Sequence, residues 1–233
     1  MNDDAKRAAA CAAVEEVEPG MLIGLGTGST TAFAIERLGE KIRGGLTIRA
    51  VATSLRSESL ARSVGIPLVD FALVESVDLT IDGADEIDDR LFAIKGAGGA
   101  MLREKIVAAA SCRMIVIADA SKRVARIGRA KVPVEILPFA QAFATAQLES
   151  LGARAVLREG YRTDQDNLVI DCFFAEMSDP AALATRLSAI PGALGHGLFL
   201  DEVDCAYIGE DNRAIRIERQ ATTGIAQRSR PSS

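Results

Sequence analysis

The sequence contains no tryptophan, and aromatic residues make up only 4% of its 233 residues. A core without large aromatic rings must be built mainly from Ala, Val, Ile and Leu. Hydrophobic residues nevertheless amount to 48% of the chain, which is enough for a sizeable core. Aliphatic cores are typical of parallel sheets covered by helices. The composition therefore predicts an α/β fold, with one large domain or with one medium and one small domain.

Histidine and cysteine, the usual ligands of zinc and other transition metals, are also few. His196 is the only histidine, so a multi-histidine metal site or a histidine-dependent triad would have to rest on this one residue. A lone histidine near the end of a predicted strand is more often packed or exposed than catalytic. The four cysteines are scattered without C-x-x-C spacing, which predicts reduced thiols rather than a zinc site or disulfides. We therefore expect no bound metal.

An excess of positive charge and long apolar runs are missing as well. The formal net charge is −5, which argues against a nucleic-acid partner because such proteins need basic surface to neutralise phosphates. No apolar run approaches the roughly 18 residues that span a membrane. The acidic start Met1–Asp4 does not have the form of a signal peptide. We predict a cytoplasmic protein without a nucleic-acid or membrane partner.

The first half of the chain alternates apolar strands with helices, a pattern that predicts a parallel sheet covered on both faces. The predicted helices include residues 5–17, 57–64 and 100–110. The predicted strands are Met21–Leu25, Leu46–Ala52, Ile66–Val69, Val77–Ile81, Leu91–Ile94 and Met114–Ala118.

The second half has the order strand, helix, strand, strand, helix, strand, which is that of a ferredoxin-like unit. Its predicted elements are Val132–Ile136, Pro138–Leu151, Ala153–Leu157, Leu168–Phe174, Pro180–Ala189 and Ala193–Leu200, and a hairpin of Cys205–Ile208 with Ala214–Ile217 follows. We predict a first domain over residues 1–130 that is joined by 203–219, and a small domain over 131–202. The polar tail, residues 220–233, is predicted to be disordered.

Three polar motifs follow predicted strands, at the position where ligands bind to parallel sheets. In Gly24–Thr30, free N–H groups and hydroxyls favour contact with a phosphate or a sugar. The alternative is a tight turn with Ser29 or Thr30 as the helix cap. In the second motif, Asp82 and Asp85 flank two small residues. This favours acid–base chemistry or hydroxyl binding over a solvated turn or a divalent-metal site.

The third motif, Lys95-Gly96-Ala97-Gly98-Gly99, resembles a backbone nest with a cation beside it. Such a site binds phosphate or stabilises a developing oxyanion, whereas the alternative is an exposed lysine before a flexible loop. Glu104 follows one turn into the next helix, and by itself it would be an ordinary helix carboxylate. We interpret residues 82–105 as an active site because acids, a lysine and glycines recur there within 24 residues.

An NADP-dependent oxidoreductase is an alternative for the first motif alone. The dinucleotide fingerprint G-x-G-x-x-G is not met, since its sixth position is Ser29 counted from Gly24 and Thr31 counted from Gly26. Arg56, after the second predicted strand, could nevertheless accept the 2′-phosphate of NADP. This alternative leaves the acidic cluster unexplained.

Four motifs together resemble the ribose-5-phosphate isomerase type A family in order and spacing, over nearly the whole chain. They are Gly26–Thr30, Asp82–Glu86, Lys95–Ala100 with Arg103–Lys105, and Ala118–Lys122. The resemblance implies a Rossmann-like α/β domain without a nucleotide and a smaller ferredoxin-like lid domain. It implies interconversion of ribose 5-phosphate and ribulose 5-phosphate, in the non-oxidative pentose phosphate pathway, with no metal or organic cofactor. It also implies a homodimer or homotetramer.

The same resemblance implies residue roles. Glu104 is the base that moves a proton between C2 and C1, while Asp82, Asp85 and Lys95 hold the sugar and shuttle protons among its oxygens. The implied substrate contacts are Thr27, Gly28, Ser29, Thr30, Asp82, Gly83, Ala84, Asp85, Lys95, Gly96, Ala97, Gly98 and Lys122. Ala97 stands where many members carry glycine, and we expect little effect if its backbone angles are ordinary. A non-catalytic sugar-phosphate sensor is a further alternative, which the presence of Glu104 disfavours.

Overall fold

A computed structural model of the chain describes residues 3–219. Its helices are α1 (Asp3–Val14), α2 (Ser29–Arg43), α3 (Leu55–Ser63), α4 (Met101–Ala109), α5 (Gln141–Ser150) and α6 (Pro180–Ser188). Its strands are β1 (Leu22–Leu25), β2 (Arg49–Ala52), β3 (Leu79–Gly83), β4 (Glu86–Ile87), β5 (Ala93–Ile94), β6 (Met114–Asp119), β7 (Val132–Ile136), β8 (Ala153–Leu157), β9 (Leu168–Phe174), β10 (Ala193–His196), β11 (Leu198–Phe199), β12 (Cys205–Glu210) and β13 (Arg213–Glu218). In this part of the chain no helix is long and apolar enough to cross a bilayer. The tail that is predicted to be disordered lies outside the described residues.

Six strands form the larger sheet, in the order β13-β12-β6-β3-β1-β2. Neighbouring strands run parallel except for β12 and β13, which form the C-terminal hairpin. β1 and β6 are buried along their whole length, as expected for aliphatic strands between helices. On one face, α1 and α2 pack small and branched side chains against Ile23, Ile81 and Ile115. This sheet confirms the predicted Rossmann-like α/β fold.

Four strands form a separate antiparallel sheet, in the order β10-β7-β9-β8. With α5 and α6, these strands have the β-α-β-β-α-β topology of the ferredoxin-like unit. The helices bury Leu148 and Leu187 in a common core with Val134 and Ile170. The fold class is therefore as predicted. The domain limits, 1–130 with 203–219 and 131–202, stay a prediction.

The strand that leads to Lys95 belongs to neither of these sheets, which corrects the prediction that Leu91–Ile94 extends the parallel sheet. β5 has only two residues and pairs antiparallel with β4 and β11 in a third, small sheet. The predicted strand Ala193–Leu200 correspondingly divides into β10 and β11. The division occurs at Gly197, where a Cβ atom would lie 2.2 Å from the Lys95 carbonyl oxygen. Only glycine permits this close backbone approach.

A second correction concerns Ile66–Val69, which is not a strand. Only Leu68 forms a bridge, to Ala50 in β2. Pro67 has no N–H to donate to a ladder, and Asp70 caps a short 3₁₀ turn directly afterwards. The apolar character of this segment instead reflects its packing beside β2.

Candidate active site

A cavity of about 630 Å³ opens at the carboxyl ends of β1, β3 and β6. It contains nearly every residue that the sequence motifs predict for the site. Its walls are formed by Lys6, Thr27, Gly28, Ser29, Thr30, Gly83, Ala84, Asp85, Lys95, Gly96, Ala97, Gly98, Glu104, Asp119, Ala120, Ser121 and Lys122. Asp82 is the one predicted residue that does not line the cavity, because its side chain is fully buried behind Lys95.

Three buried charged side chains form a cluster at the floor of the cavity, which Lys95 and Glu104 line and behind which Asp82 lies. Lys95 Nζ lies 2.9 Å from Asp82 Oδ2 and 3.2 Å from Glu104 Oε2, and it donates a hydrogen bond to the Gly83 carbonyl oxygen at 2.5 Å. Relative exposure is 0% for Asp82, 2% for Lys95 and 3% for Glu104. Burial of charged groups is destabilising unless they are paired. A segment with only a structural role would rarely bury three of them together.

Backbone groups fix the position of Asp82. Its Oδ1 accepts hydrogen bonds from the N–H groups of Thr27 at 3.0 Å and Gly83 at 2.7 Å. A Cβ atom on Gly26 would lie 2.0 Å from the same oxygen, so glycine is required where the first motif passes the acid. The glycine-rich turn after β1 and the acid at the end of β3 therefore form one unit.

The cluster has two carboxyl groups but only one lysine, and this sets their protonation. Burial, together with the nearby charge of Asp82, raises the pKa of Glu104 to about 8, although Lys95 acts in the opposite direction. Burial also raises the pKa of Asp82, against the effect of Lys95 and two backbone N–H groups. Burial disfavours the ammonium of Lys95, but Asp82 and Glu104 outweigh it, so the pKa of Lys95 is raised. Because Asp82 has more donors, we assign the negative charge to Asp82 and the titrating proton to Glu104.

One oxygen of each acid faces the Lys95 ammonium. Within the described residues, Asp82 Oδ2 and Glu104 Oε2 accept no well-aligned hydrogen bond, although both lie close to the Lys95 ammonium. Buried carboxylate oxygens normally have hydrogen-bond partners. Glu104 lines the cavity, so a hydroxyl-bearing ligand there would be within reach of its carboxyl group.

The loop after Lys95 lines the cavity with Gly96, Ala97 and Gly98. Asp85 Oδ2 accepts the Ala97 N–H at 2.8 Å, which ties the second motif to the third. Gly96 and Gly99 have positive φ angles of 97° and 79°, a conformation that favours glycine. Ala97 is not among the residues with positive φ, so its backbone is ordinary, as the interpretation of this substitution requires.

Two lysines and the N-terminus of a helix lie at the mouth of the cavity. α2 begins at Ser29 with Gly28 as N-cap and no side-chain cap, so its first N–H groups are free to bind an anion. The alternative in which Ser29 or Thr30 caps this helix is wrong. Lys6 Nζ donates to Ser29 Oγ at 3.2 Å, and Lys122 Nζ has no hydrogen bond or ion pair with any residue described.

Comparison with known proteins identifies the family. The model of the family described as ribose 5-phosphate isomerase A (phosphoriboisomerase A) matches residues 49–213. The chain is 54% identical over 207 residues to ribose-5-phosphate isomerase A of Sphingopyxis alaskensis, which covers 87% of this chain and 91% of that relative. This chain belongs to the ribose 5-phosphate isomerase A family.

Solved structures agree with this assignment. Ribose 5 phosphate isomerase A from Neisseria gonorrhoeae has a TM-score of 0.90 and 38% identity, covering 95% of this chain and 99% of the other. A D-ribose-5-phosphate isomerase in complex with phospho-erythronic acid has a TM-score of 0.90 and 36% identity, covering 94% and 100%. The chain is thus an aldose–ketose isomerase, and the sensor and NADP-oxidoreductase alternatives find no support.

Some acids near the site of this isomerase have a structural role. The Glu86 carboxylate accepts the N–H groups of Gly128, Arg129 and Ala130 at 2.8, 3.2 and 2.8 Å. Asp88, which is 1% exposed, likewise accepts backbone and side-chain donors of Arg90. These two residues are therefore not the solvated acidic turn that the sequence left open as an alternative.

His196 does not line the cavity. The Leu198 N–H donates to Nδ1 at 3.2 Å, and Nε2 lies 3.0 Å from Ser188 Oγ. Burial, and to a lesser degree the charge of Lys105, lowers the pKa of His196 to about 4. It is a packed neutral histidine, as its isolation in the sequence suggests.

Sequence analysis missed Lys6 at the mouth of the cavity. The residue lies in an alanine-rich helix far from every motif, and only the packing of α1 beside the start of α2 brings it to the site. Between residues 3 and 219, no group of three His, Cys, Asp or Glu side chains could hold a metal ion. The cation that faces Asp82 and Glu104 is Lys95.

Proposed function

We propose that this isomerase interconverts D-ribose 5-phosphate and D-ribulose 5-phosphate by proton transfer through an enediolate, with Glu104 as the base. The observation that carries the proposal is the placement of Glu104. Its carboxyl group is buried at the floor of the cavity, 3.2 Å from a lysine ammonium, and its pKa is raised to about 8. A base is most effective when its pKa lies near the working pH.

In the open-chain aldose, the C2 proton is acidic because its carbon adjoins the C1 carbonyl. Glu104 removes this proton, and the electron pair of the C–H bond moves to form the C1–C2 double bond while negative charge develops on O1. The proton on O2 moves to O1, and return of the first proton to C1 then gives the ketose with its carbonyl group at C2. One carboxylate above C1 and C2 can perform both transfers.

The developing oxyanion needs donors that are already in place. Lys95 stays charged because its pKa is raised, and its ammonium lies between the two acids. The N–H of Gly98, which lines the cavity, is a second donor. Preorganised donors of this kind typically contribute about 10²–10³-fold in rate.

Asp82 and Asp85 are proposed to hold the sugar hydroxyls, to assist ring opening and to move the proton between O1 and O2. Asp85 lines the cavity and Asp82 lies behind Lys95. Asp85 therefore borders the substrate space, and Asp82 is separated from it by Lys95. No observation divides these roles between them.

We propose that Lys6, Lys122, Ser29 and the free N–H groups of α2 bind the substrate phosphate at the mouth of the cavity. Charge-assisted contacts with an anion are worth about 1.5–3 kcal/mol each. Lys122→Met should therefore raise KM for ribose 5-phosphate by roughly tenfold or more. The matched control is Lys41→Met. Lys41 lies on α2, and its Nζ is 2.8 Å from Glu15 Oε2.

The activity itself is tested by NMR. The EDTA-treated protein is incubated with ribose 5-phosphate in D₂O, and ribulose 5-phosphate should form. The product carries deuterium at C1 or C2 if the base exchanges its proton with solvent. It carries none if an enclosed base returns the same proton. Absence of any ketose from folded protein contradicts the proposed reaction. Ketose that forms only when a divalent metal is restored contradicts the proposal that no metal cofactor takes part.

Two further properties complete the proposal. We propose that the isomerase is a homodimer or homotetramer, and that it works in the cytoplasm. Light scattering coupled to size exclusion distinguishes these assemblies from the 24.6 kDa monomer. Cell fractionation tests the location.

A further inference from the structure

Residues 158–167, between β8 and β9, form a segment that reaches from the small antiparallel sheet to the active site. We name it the bridging segment. Asp164 Oδ2 accepts the Leu55 N–H at 2.7 Å, in the first turn of α3. Thr163 Oγ1 donates to Glu135 Oε1 on β7 at 2.8 Å. The segment is therefore anchored to helix α3 beside the larger sheet and to β7 of the small sheet.

Two side chains of the bridging segment bind consecutive carbonyl groups of the cavity loop. Arg158 Nη1 donates to the Ala97 carbonyl oxygen at 3.1 Å, and Tyr161 Oη donates to the Gly98 carbonyl oxygen at 2.9 Å. Neither Arg158 nor Tyr161 lines the cavity. Both carbonyl groups are thus held from the side that faces away from the substrate space.

This arrangement determines where the loop N–H groups point. In a trans peptide, the C=O and N–H groups point in opposite directions. Because Arg158 holds the Ala97 carbonyl, the Gly98 N–H of the same peptide points away from Arg158, toward the cavity. The neighbouring N–H groups are occupied, that of Ala97 by Asp85 Oδ2 and that of Gly99 by the Gly96 carbonyl. The Gly98 N–H has no partner among the described residues.

The two side chains are themselves held in place. Asp171, which is 6% exposed, accepts two hydrogen bonds from the Arg158 guanidinium, at 3.1 Å from Nε and 2.5 Å from Nη2. The guanidinium lies 5.2 Å from the centre of the Tyr161 ring. A Cβ atom on Gly99 would lie only 2.0 Å from Tyr161 Oη. Tyr161 therefore occupies space that exists because residue 99 is glycine.

We infer that Arg158 and Tyr161 are positioning residues, which hold the Ala97 and Gly98 carbonyls so that the Gly98 N–H is aimed at the substrate oxyanion. The inference rests on the proposed function, since it gives that N–H a task in the same reaction. The small sheet thus contributes to catalysis, because the bridging segment connects it to the cavity loop. Preorganised donors avoid the cost of reorientation during the reaction.

The direct test is Tyr161→Phe, which keeps the ring and removes the donor. We expect kcat/KM to fall about two- to tenfold, the range that one neutral hydrogen bond represents. Arg158→Met removes a charge-assisted donor and should lower kcat/KM by about 10- to 100-fold. Asp171 stays paired in that variant, because Lys131 Nζ lies 2.6 Å from its Oδ2.

Two matched controls separate positioning from general disturbance. Tyr207→Phe removes the hydroxyl of the other tyrosine in the chain. This hydroxyl lies outside the cavity and donates a hydrogen bond of 2.5 Å to Glu16. Lys131→Met removes the second cation from Asp171 and leaves Arg158 in place. Both controls should keep kcat/KM within twofold of the unsubstituted protein.

Binding of phospho-erythronic acid gives a readout that does not require turnover, because its carboxylate can accept the same N–H. Calorimetry should show weaker binding to Tyr161→Phe and Arg158→Met, in parallel with the loss of kcat/KM. The pH at which kcat/KM is half-maximal should not move, since Lys95 and Glu104 are untouched. Unchanged binding and unchanged kcat/KM in both variants overturn the inference, as does a shift of that pH.

A failure of the proposed function can be distinguished from a failure of this inference. In that case the unsubstituted protein itself forms no ribulose 5-phosphate. The binding measurement then still tests whether Arg158 and Tyr161 hold the loop.

Discussion

Glu104 should control the pH dependence of this isomerase. With a pKa of about 8, roughly one tenth of the Glu104 side chains are ionised at pH 7 and roughly half at pH 8. Only the carboxylate can accept the C2 proton. We therefore expect kcat/KM to rise about eightfold between pH 6.5 and 7.5 and to level off near pH 9.

The same group should give a pH-dependent stability. The pKa of Glu104 is about 8 in the folded protein and near 4.5 in the unfolded chain. The folded state thus binds the proton more tightly, so this contribution is fully present below pH 4.5 and is lost as pH rises through 8. A difference of this size corresponds to roughly 5 kcal/mol at most. Glu104→Gln removes it.

Two assays check this reasoning. Initial rates of ketose formation are measured from pH 6.5 to 9, above the range in which the substrate phosphate titrates near pH 6. Urea unfolding of the unsubstituted protein and of Glu104→Gln is compared over the same range and at pH 5. The variant should gain in relative stability as pH rises. A flat rate profile between pH 6.5 and 8, or a stability difference that does not change with pH, would refute the assignment of the titrating proton to Glu104.

Three further substitutions test other parts of the account. Gly26→Ala places a Cβ atom 2.0 Å from Asp82 Oδ1; urea unfolding should show a loss of about 1–3 kcal/mol, and kcat should fall at least tenfold because Asp82 must move. Glu86→Gln weakens a carboxylate that accepts three backbone N–H groups, so we expect a loss of about 1.5–3 kcal/mol in stability with kcat unchanged. His196→Gln should leave the pH profile of the rate unchanged. The pKa of His196 is lowered from 6.5 to about 4, so the unsubstituted protein should lose stability as pH falls from 6.5 to 4. The variant should not show this loss.

The sequence predicted much of the fold because its longer elements carry strong local signals. β1, β3 and β6 are apolar runs that end in glycines or acids, and the second half has the alternation of a ferredoxin-like unit. The predicted residues Thr27, Asp85, Lys95, Glu104 and Lys122 meet in one cavity. The motifs after β1, β3 and β6 share one edge of the parallel sheet, whereas Lys95 and Glu104 reach that edge through β5 and α4, which lie outside this sheet.

What sequence analysis missed depends on contacts between distant parts of the chain. β5 has two residues, too few to show a period, and its partner β11 lies about 100 residues away along the chain. Lys6 has no local motif, and its place at the cavity mouth follows from the packing of α1. Arg158 and Tyr161 lie in a polar connection that reads as an ordinary loop. Only the tertiary structure brings them to the Ala97 and Gly98 carbonyls.

The central claim is that Glu104 moves the proton between C2 and C1, and one comparison tests it most directly. Turnover of ribose 5-phosphate is measured for the unsubstituted protein and for Glu104→Gln at pH 8, with binding of phospho-erythronic acid as the control for an intact site. The account predicts that the variant binds this acid but forms ketose at least 10²-fold more slowly, the smallest contribution expected of a positioned base. Turnover by the folded variant within a few-fold of the unsubstituted protein would contradict it.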